Sequence, residues 1–308
     1  MVVMARSTTR LWSVKQRMSR RLFCFGYGFS ASVLAQRLRT RGWRIAGTTR
    51  SPEKRTALQA EGIEAFLFDR AHPLEDPAAA LAGTTHVLAS VPPDASGDPV
   101  AGLHGADIAA AGPEWVGYLS TTGVYGDREG GWVNEESELL PTGPRGERRL
   151  AAERAWLALR AGRGLPVHLF RLAGIYGPGR NAIETLRAGR GRRVDKPGQV
   201  FSRIHVADIA TVLEASMARP NPGRAYNLCD DDPAPPQEVI AHASGLLGQE
   251  PPPLVPFEKA ELSEMARSFY RDNKRVSNAR IKQELGVELA YPDYRTGLAA
   301  LLAEEAEA

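Results

Sequence analysis

The chain has 308 residues, of which 43% are hydrophobic and 24% charged, and its net charge is +3. This length can bury a sizeable core, in one large α/β domain or in a nucleotide-binding domain with a smaller partner. The small net charge argues against a general binder of nucleic acids or membranes, and no run approaches the roughly 20 apolar residues of a membrane span. Two cysteines, Cys24 and Cys229, give no disulfide framework and no metal spacing, so we expect buried thiols in a cytoplasmic protein without a metal.

The first 19 residues form a basic, acid-free segment, and we expect them to lie outside the fold. Organelle-targeting peptides have a similar composition, so one interpretation is a transit peptide. The alternative, which we favour, is that translation starts at Met18, because only the segment from Met18 onward resembles a folded domain.

Strand and helix patterns alternate along the first half of the chain. Predicted strands cover residues 21–25, 43–48, 63–68, 85–91, 115–120 and 167–171. Predicted helices cover residues 30–41, 52–61, 103–111 and 148–160. Repeated βα units of this length predict parallel strands joined by right-handed crossovers, hence a doubly wound α/β sheet of the Rossmann type with helices on both faces.

The composition changes after Gly174, where Pro, Gly and Arg become more frequent. Separate helices are predicted there at residues 206–218, 237–247 and 278–285. We therefore divide the chain into a dinucleotide-binding domain at residues 20–174 and a smaller C-terminal substrate lobe at residues 175–308. Residues 206–218 and 225–228 are expected to return to the first domain.

A glycine-rich elbow, G-x-G-x-x-A, separates the first predicted strand from the first predicted helix. In a βα unit the first glycine makes the tight turn, the second leaves room for a pyrophosphate, and the alanine lets the helix pack closely. The phosphates then meet N–H groups at the positive end of the helix. The elbow residues assigned to the cofactor are Gly26, Tyr27, Gly28, Phe29, Ser30 and Ala31. Ser90, near the end of the fourth predicted strand, is assigned to the same site.

The end of the second predicted strand indicates which cofactor binds. NAD sites usually place a carboxylate there, whereas NADP sites place a cation for the 2′-phosphate. Here Arg50 offers a guanidinium and Ser51 a hydroxyl, with no acid in reach, which favours NADP(H) over NAD(H). A solvated surface arginine is the alternative for Arg50. Asp69 lies where an adenine contact would fall, and a plain turn aspartate is the alternative there.

From about residue 20 to residue 301, the chain resembles the extended short-chain dehydrogenases/reductases, and most closely an atypical branch of NAD(P)-dependent epimerases. Besides the elbow, the matching segments are L-S-T-T-G-V-Y-G-D at 119–127, R-L-A-G-I-Y-G-P-G-R at 171–180, R-I-H-V-A-D-I-A at 203–210, A-Y-N-L at 225–228 and N-K-R at 273–275. Their order and spacing make the resemblance specific.

The resemblance also exposes a departure at the expected catalytic residues. It implies that Thr121 polarises the substrate oxygen, and that a Y-x-x-x-K pair on the long helix transfers the proton and holds the nicotinamide ribose. Aligned without a gap, Arg145 stands at the Tyr position and Arg149 at the Lys position. Arg149 can still hold the cofactor, but the Arg145 guanidinium does not exchange protons near neutrality.

The proton donor must therefore come from elsewhere if the protein is an enzyme. Tyr125 and Tyr176 follow strands and can reach the carboxyl edge of the sheet, where nearby arginines would lower a tyrosine pKa; packing beneath the cofactor is the alternative. His205 and Asp208 open a helix, and we expect structural hydrogen bonds from both.

Many arginines cluster in sequence around the C-terminal lobe, which indicates an anionic substrate if several converge; solvated side chains are the alternative. Arg180, Asn181 and Arg203 are the predicted substrate contacts. Interleaved aromatic residues are missing, so we expect no nucleic-acid partner. A homodimer through the helices at 103–111 and 148–160, as in relatives, and a monomer are both open.

Two functions remain open at this point. The first is an NADP-dependent oxidoreductase or epimerase acting on a small anionic or nucleotide-sugar-like substrate. The second is a non-catalytic NADP(H)-binding sensor, which would tolerate the loss of both Tyr and Lys.

Overall fold

The computed structural model describes residues 20–307, so the N-terminal extension and the choice between Met1 and Met18 lie outside the described residues. The strands within the described range are β1 (Arg21–Phe25), β2 (Arg44–Thr49), β3 (Glu64–Leu67), β4 (His86–Ala89), β5 (Trp115–Thr121), β6 (Trp132–Val133), β7 (Val167–Leu172), β8 (Gly174–Tyr176), β9 (Arg193–Asp195), β10 (Arg203–His205), β11 (Ala225–Leu228), β12 (Leu254–Pro256) and β13 (Arg275–Val276).

The helices of the same range are α1 (Phe29–Arg39), α2 (Pro52–Ala60), α3 (Pro77–Leu81), α4 (Pro99–Ala111), α5 (Pro144–Arg163), α6 (Ala182–Arg187), α7 (Val206–Ala218), α8 (Pro236–Leu246), α9 (Glu264–Phe269), α10 (Ala279–Leu285) and α11 (Tyr294–Glu307). Two short 3₁₀ turns complete the description, at Thr122–Tyr125 and Phe257–Lys259.

Seven strands form one parallel sheet in the order β11-β7-β5-β4-β1-β2-β3. Helices α1, α7 and α10 contribute to the apolar core on one face, and α3, α4 and α5 to the core on the other. The doubly wound Rossmann prediction is therefore confirmed. The strand order reverses at β1, between β2 and β4, and ligands of such sheets bind at this switch point, beyond the carboxyl ends of the strands.

Two of the predicted helices start earlier than their apolar pattern suggested. Helix α4 begins at Pro99, because Asp98 Oδ1 accepts hydrogen bonds from the N–H groups of Val100 and Ala101. Helix α5 begins at Pro144, since proline fits the first helical position, where no N–H is needed. The earlier start puts Arg145 in the first turn of α5, one turn before Arg149.

Several elements were not predicted, and most of them lie after Gly174. Helices α3, α6 and α9 have six residues or fewer, too few to show a 3.6-residue period. Helix α11 lacks the one-sided apolar pattern that identifies a surface helix. Strand β11 nevertheless joins the large sheet beside β7, and α7 packs against α1, so the later part of the chain returns to the sheet.

Both cysteines are buried and unpaired within residues 20–307, and burial raises the pKa of the Cys229 thiol. In that range no helix combines the length and apolar character needed to cross a membrane. The described residues also contain no group of three His, Cys, Asp or Glu side chains able to hold a metal ion.

Candidate cofactor and substrate cleft

Gly26 makes the turn out of β1 with a backbone conformation that side chains disfavour. Its φ is +85°, and a Cβ built there would lie 2.9 Å from Ser90 Oγ. The Ser90 hydroxyl donates to the carbonyl oxygen of Gly26 at 2.6 Å, which ties the loop after β4 to the elbow. Gly26 and Ser90 therefore shape the turn.

Gly28 has a different reason to be glycine. It is the N-cap of α1 with φ −101°, a conformation that any residue adopts, and a Cβ built there would meet nothing nearer than 4.0 Å. No side chain among the described residues caps this helix. The open space above the uncapped, positive end of α1 fits the diphosphate of a dinucleotide.

Tyr27 contributes its backbone rather than its ring to this region. The ring is buried in the core and packs on Gly47, where an added Cβ would approach the Tyr27 ring to 2.9 Å. The Tyr27 carbonyl accepts a hydrogen bond from Lys54 Nζ at 2.6 Å. Sequence reasoning missed this lysine because it lies inside α2, beyond the strand end at which cofactor-selecting residues are sought.

The loop after β2 differs from the expectation in one respect. Arg50 is exposed, but Ser51 caps α2 by accepting from the Lys54 N–H, and its hydroxyl donates to Glu53 Oε2 at 2.6 Å. The expectation that no acid lies in reach was wrong, because the first turn of α2 brings the Glu53 carboxylate back to Ser51. The hydrogen bond from Ser51 holds the pKa of Glu53 below its usual range.

Asp69 closes a turn at the end of the third βα unit. Its Oδ1 accepts hydrogen bonds from the N–H groups of Ala71 at 2.8 Å and His72 at 2.9 Å. These bonds correspond to the turn aspartate that was the alternative interpretation, and an adenine contact stays a prediction.

A cleft of about 1130 Å³ opens at the carboxyl edge of the sheet and continues from α1 toward the C-terminal residues. Many of the residues predicted for the site line it: Gly28, Phe29, Ser30, Ala31, Ser90, Thr121, Arg145, Arg149, Tyr176, Arg180, Asn181 and Arg203. Others predicted for the site do not line it: Gly26, Tyr27, Arg50, Ser51, Asp69 and Tyr125.

Thr121, Arg145 and Arg149 all line this cleft. Thr121 Oγ1 accepts from the Gly123 N–H at 3.1 Å and retains its own proton as a donor. Arg149 is fixed by hydrogen bonds from one terminal nitrogen to the Leu119 carbonyl at 2.7 Å and to Tyr118 Oη at 3.0 Å.

Tyr125 does not face the cleft, contrary to its assignment as a possible proton donor. Its ring is fully buried, and its hydroxyl donates to Asn227 Oδ1 at 2.7 Å and accepts from Arg171 at 3.0 Å. Burial raises the pKa of Tyr125 to about 12, the opposite of the expected lowering, because desolvation outweighs the attraction of Arg171.

Tyr176 lines the cleft, but its hydroxyl points to the backbone of a later segment. The hydroxyl donates to the Asp293 carbonyl at 3.3 Å and lies where a Cβ on Gly297 would collide with it. Burial raises the pKa of Tyr176, and the carboxylates of Asp230 and Asp208 raise it further. The predicted lowering was therefore wrong for this tyrosine as well.

The predicted substrate contacts take different roles. The Arg180 guanidinium lies over the ring of Phe29, at the end of the cleft where α1 begins. Asn181 is buried and caps α6 through Glu184, with its amide donating to the Gly177 carbonyl. Arg203 donates to the carbonyls of Phe201 and Ala234, which leaves part of its guanidinium toward the cleft.

Positive charge dominates the cleft. The charged side chains lining it within the described residues are eight arginines, one lysine and one carboxylate: Arg145, Arg148, Arg149, Arg180, Arg190, Arg192, Arg203, Arg271, Lys274 and Asp272. Arg171 and Arg187, which belong to the same cluster in sequence, turn away and pair with glutamates. Sequence reasoning missed Arg271, and it gave Lys274 no role beyond its place in the N-K-R segment at 273–275.

His205 and Asp208, at the start of α7, both accept hydrogen bonds from backbone N–H groups. His205 Nδ1 accepts from the Ala207 N–H at 3.2 Å, and the Asp208 carboxylate accepts from the N–H groups of Ala290 and Tyr291. Burial lowers the pKa of His205 to about 4, so its ring is neutral at physiological pH.

Comparison with known proteins agrees with this geometry. Residues 103–229 match the model of the NAD dependent epimerase/dehydratase family. MoeE5, whose structure is described as a complex with UDP-glucose and NAD, superposes with a TM-score of 0.76 at 22% identity, covering 94% of this chain and 99% of MoeE5. At this identity the likeness shows the fold alone. The sheet and cleft thus define a protein with a Rossmann α/β fold, which it shares with MoeE5.

Two relatives are similar over nearly the whole chain. A conserved protein of unknown function from Silicibacter pomeroyi DSS has 54% identity and a TM-score of 0.84, covering 93% of this chain and 99% of that one. Protein YeeZ of Escherichia coli K12 is 28% identical over 280 residues, covering 87% of this chain and 95% of YeeZ. The chain belongs to one family with the Silicibacter pomeroyi protein.

Proposed function

We propose that the protein binds NADP(H), with NAD(H) as the alternative, and acts as an oxidoreductase or epimerase on a small anionic or nucleotide-sugar-like substrate. The observation that carries the proposal is the uncapped end of α1 above Gly28, continuous with a cleft that contains Thr121 and Arg149. A diphosphate at α1 would extend the nicotinamide along this cleft. Arg149 would hold the ribose.

The preference for NADP(H) is supported by cations around the adenosine end. Arg50 is exposed at the end of β2, and Lys54 Nζ lies 2.6 Å from the Tyr27 carbonyl of the elbow. Glu53 opposes them, so two cations face one carboxylate. We expect the 2′-phosphate to bind between Arg50 and Lys54, because charge-assisted contacts to phosphate are strong.

An anionic substrate is supported by the nine cationic side chains and single carboxylate of the cleft. Several of these arginines, including Arg190 and Arg192, are exposed around its rim and lie beyond the elbow and Thr121. The UDP-glucose named in the MoeE5 structure is a ligand of the corresponding chemistry, an anion with a sugar attached. Charge complementarity of this kind selects for phosphate or carboxylate groups.

A non-catalytic NADP(H) sensor is the second candidate, and a specific feature favours it. If Arg145 and Arg149 stand in place of the family's Tyr and Lys, the usual proton donor is missing, while the cofactor end of the cleft is intact. A sensor would bind the cofactor tightly and turn nothing over.

Calorimetric titration of the folded protein with NADPH and NADH tests the shared part of both candidates. We expect saturable binding with tighter affinity for NADPH, and no affinity for either cofactor would contradict the proposal. NADPH oxidation is then measured across aldehydes, ketones and nucleotide-sugars. Turnover supports the enzyme; tight binding without turnover on a broad panel supports the sensor.

A further inference from the structure

The tyrosines that line the cleft within the described residues are Tyr176, Tyr270 and Tyr294, and burial raises the pKa of each. The Arg145 guanidinium stays charged near neutrality, Tyr125 lies outside the cleft, and the Tyr176 hydroxyl is engaged with the Asp293 carbonyl. For a substrate oxygen that gains or loses a proton in this cleft, a group with a lowered pKa is a better partner than these tyrosines.

Lys274 lies at the turn that follows Thr121. The 3₁₀ turn Thr122–Tyr125 comes directly after Thr121, and Gly126 follows the turn. The Lys274 Nζ donates to the Gly126 carbonyl at 2.8 Å, and the residue lines the cleft together with Thr121. The ammonium is thus bonded to the residue that ends the turn after Thr121, although Lys274 and Gly126 are 148 positions apart in sequence.

Asp272 connects the same lysine to the start of α5. Its Oδ2 accepts from Lys274 Nζ at 3.0 Å, and its Oδ1 accepts from the Thr142 hydroxyl. Thr142 lies three residues before Arg145 in sequence. Lys274 therefore bridges the Thr121 turn and the segment leading to Arg145, where the resemblance puts the reacting groups.

The ammonium group is almost buried but not saturated. Only 10% of the Lys274 side chain is exposed, and within residues 20–307 its hydrogen bonds go to Gly126 and Asp272. An ammonium has three N–H donors, so one remains for a ligand in the cleft.

Burial and the charges around Lys274 shift its pKa. Burial lowers the pKa of Lys274, and the Arg128 guanidinium lowers it further, while the carboxylates of Asp272 and Asp127 raise it. The net effect is a lowered pKa for Lys274. A lysine with a lowered pKa gives up its proton more readily than a free lysine, and can donate it as an ammonium and accept it as an amine.

We propose that Lys274 is the catalytic acid and base of this cleft, transferring the proton to and from the substrate oxygen. The inference rests on the proposed function, in which the bound nicotinamide dinucleotide supplies or accepts the hydride. In the direction of reduction, the carbonyl carbon gains the hydride and the oxygen takes an N–H proton from Lys274, which forms a hydroxyl. The neutral amine of Lys274 then regains a proton from water, and oxidation runs these steps in reverse.

Chemical labelling tests the reactivity of Lys274 without any substrate or cofactor. Pyridoxal 5′-phosphate, an anionic aldehyde, condenses with a neutral amine to an imine and water, and borohydride reduces the imine to a stable secondary amine. Peptide mass spectrometry at pH 6 to 10 then gives the labelling rate of each lysine. We expect Lys274 to be labelled at least fivefold faster than the exposed Lys282 at pH 7. Labelling no faster than Lys282 would overturn the proposal.

Two variants separate proton transfer from a structural tie. Lys274→Arg keeps a charged donor for Gly126 and Asp272 but does not exchange a proton, and Lys274→Met removes the charge. Both variants should bind NADPH within about twofold of the wild type and lose at least about 100-fold in kcat on any substrate that the wild type reduces. The acid–base limb of the pH profile should disappear with them.

The outcomes are distinguishable from a failure of the proposed function. Rescue of turnover by Lys274→Arg would overturn the catalytic role and leave a structural one. Absence of NADPH and NADH binding in the wild type would instead defeat the proposed function, and the role of Lys274 would fall with it, whatever the labelling rate.

Discussion

The Glu153 carboxylate accepts hydrogen bonds from the Arg171 guanidinium at 3.1 Å and 2.8 Å, which ties helix α5 to strand β7 behind the cleft. Both side chains are almost fully buried, and the Ser120 hydroxyl donates to the same carboxylate. Arg171 also donates to Tyr125. The pair fixes the helix that carries Arg145 and Arg149 against the strand that ends in Thr121.

We predict that Glu153→Gln lowers the free energy of unfolding by about 3–5 kcal/mol, because it leaves the Arg171 charge buried and unpaired. Urea denaturation measures this loss. Glu147→Gln, an exposed position on the same helix, is the matched control and should change stability by less than about 0.5 kcal/mol. Equal midpoints for both variants would show that the pair contributes nothing.

Tyr125→Phe should weaken the fold and leave the cleft intact. The change removes the hydroxyl that pairs with Asn227 and Arg171, so we expect a loss of about 1–3 kcal/mol from their unsatisfied buried groups. Affinity for NADPH should stay within twofold of the wild type by calorimetry. Unchanged stability combined with lost turnover would restore Tyr125 as a proton donor.

The two elbow glycines should respond oppositely to alanine. Gly28→Ala should fold normally, since its Cβ has open space, but the methyl would occupy the diphosphate position and weaken NADPH binding at least about tenfold. Gly26→Ala should lower the melting temperature, because its φ of +85° and the contact with Ser90 strain the loop. Undiminished NADPH binding by Gly28→Ala would argue that no diphosphate binds at α1.

Lys54→Met should reduce the preference of the protein for NADPH over NADH. Loss of one cation near the adenosine ribose should weaken NADPH binding about tenfold and leave NADH binding unchanged, as a lost charge-assisted contact would. Fluorescence titration with both cofactors gives the ratio. Arg39→Met is the control, because Arg39 is exposed at the C-terminal end of α1, away from the elbow. Equal effects on NADPH and NADH would contradict a 2′-phosphate contact at Lys54.

Buried histidines should make the protein acid-sensitive. The N–H of Asn221 donates to His168 Nε2 at 2.9 Å, so Nδ1 carries the proton toward the Val116 carbonyl and the ring is held neutral. Burial lowers the pKa of His168 to about 4. The unfolded chain binds protons more readily below about pH 6.5, so stability should fall as the pH drops from 6.5 toward 4.

Between pH 6.5 and pH 4, His168 lowers the free energy of unfolding by an amount on the order of 3 kcal/mol. Urea unfolding at pH 7 and pH 4.5 measures it. His168→Gln should reduce the difference between the two pH values, whereas His72→Gln, at an exposed position, should leave it unchanged. A wild type equally stable at both pH values would contradict the neutral, buried state of His168.

Local patterns in the sequence were sufficient to predict the backbone of the elbow between β1 and α1. The glycine spacing predicted the elbow, because a turn at Gly26 and space at Gly28 depend on neighbouring residues alone. Alternating apolar segments predicted the parallel sheet for the same reason. Short elements such as α6 and β8 were not predicted, because they contain too few residues to show a helical or strand period.

The tertiary structure decided which polar side chains face the cleft. Arg171 and Arg180 are similar in sequence context, yet one pairs with Glu153 inside the protein and the other lies over Phe29 at the cleft. Lys274 reaches Gly126 across 148 residues of sequence. Local spacing determines backbone conformation, but the partner of a long side chain is set by the packing of segments remote in sequence, which no local pattern encodes.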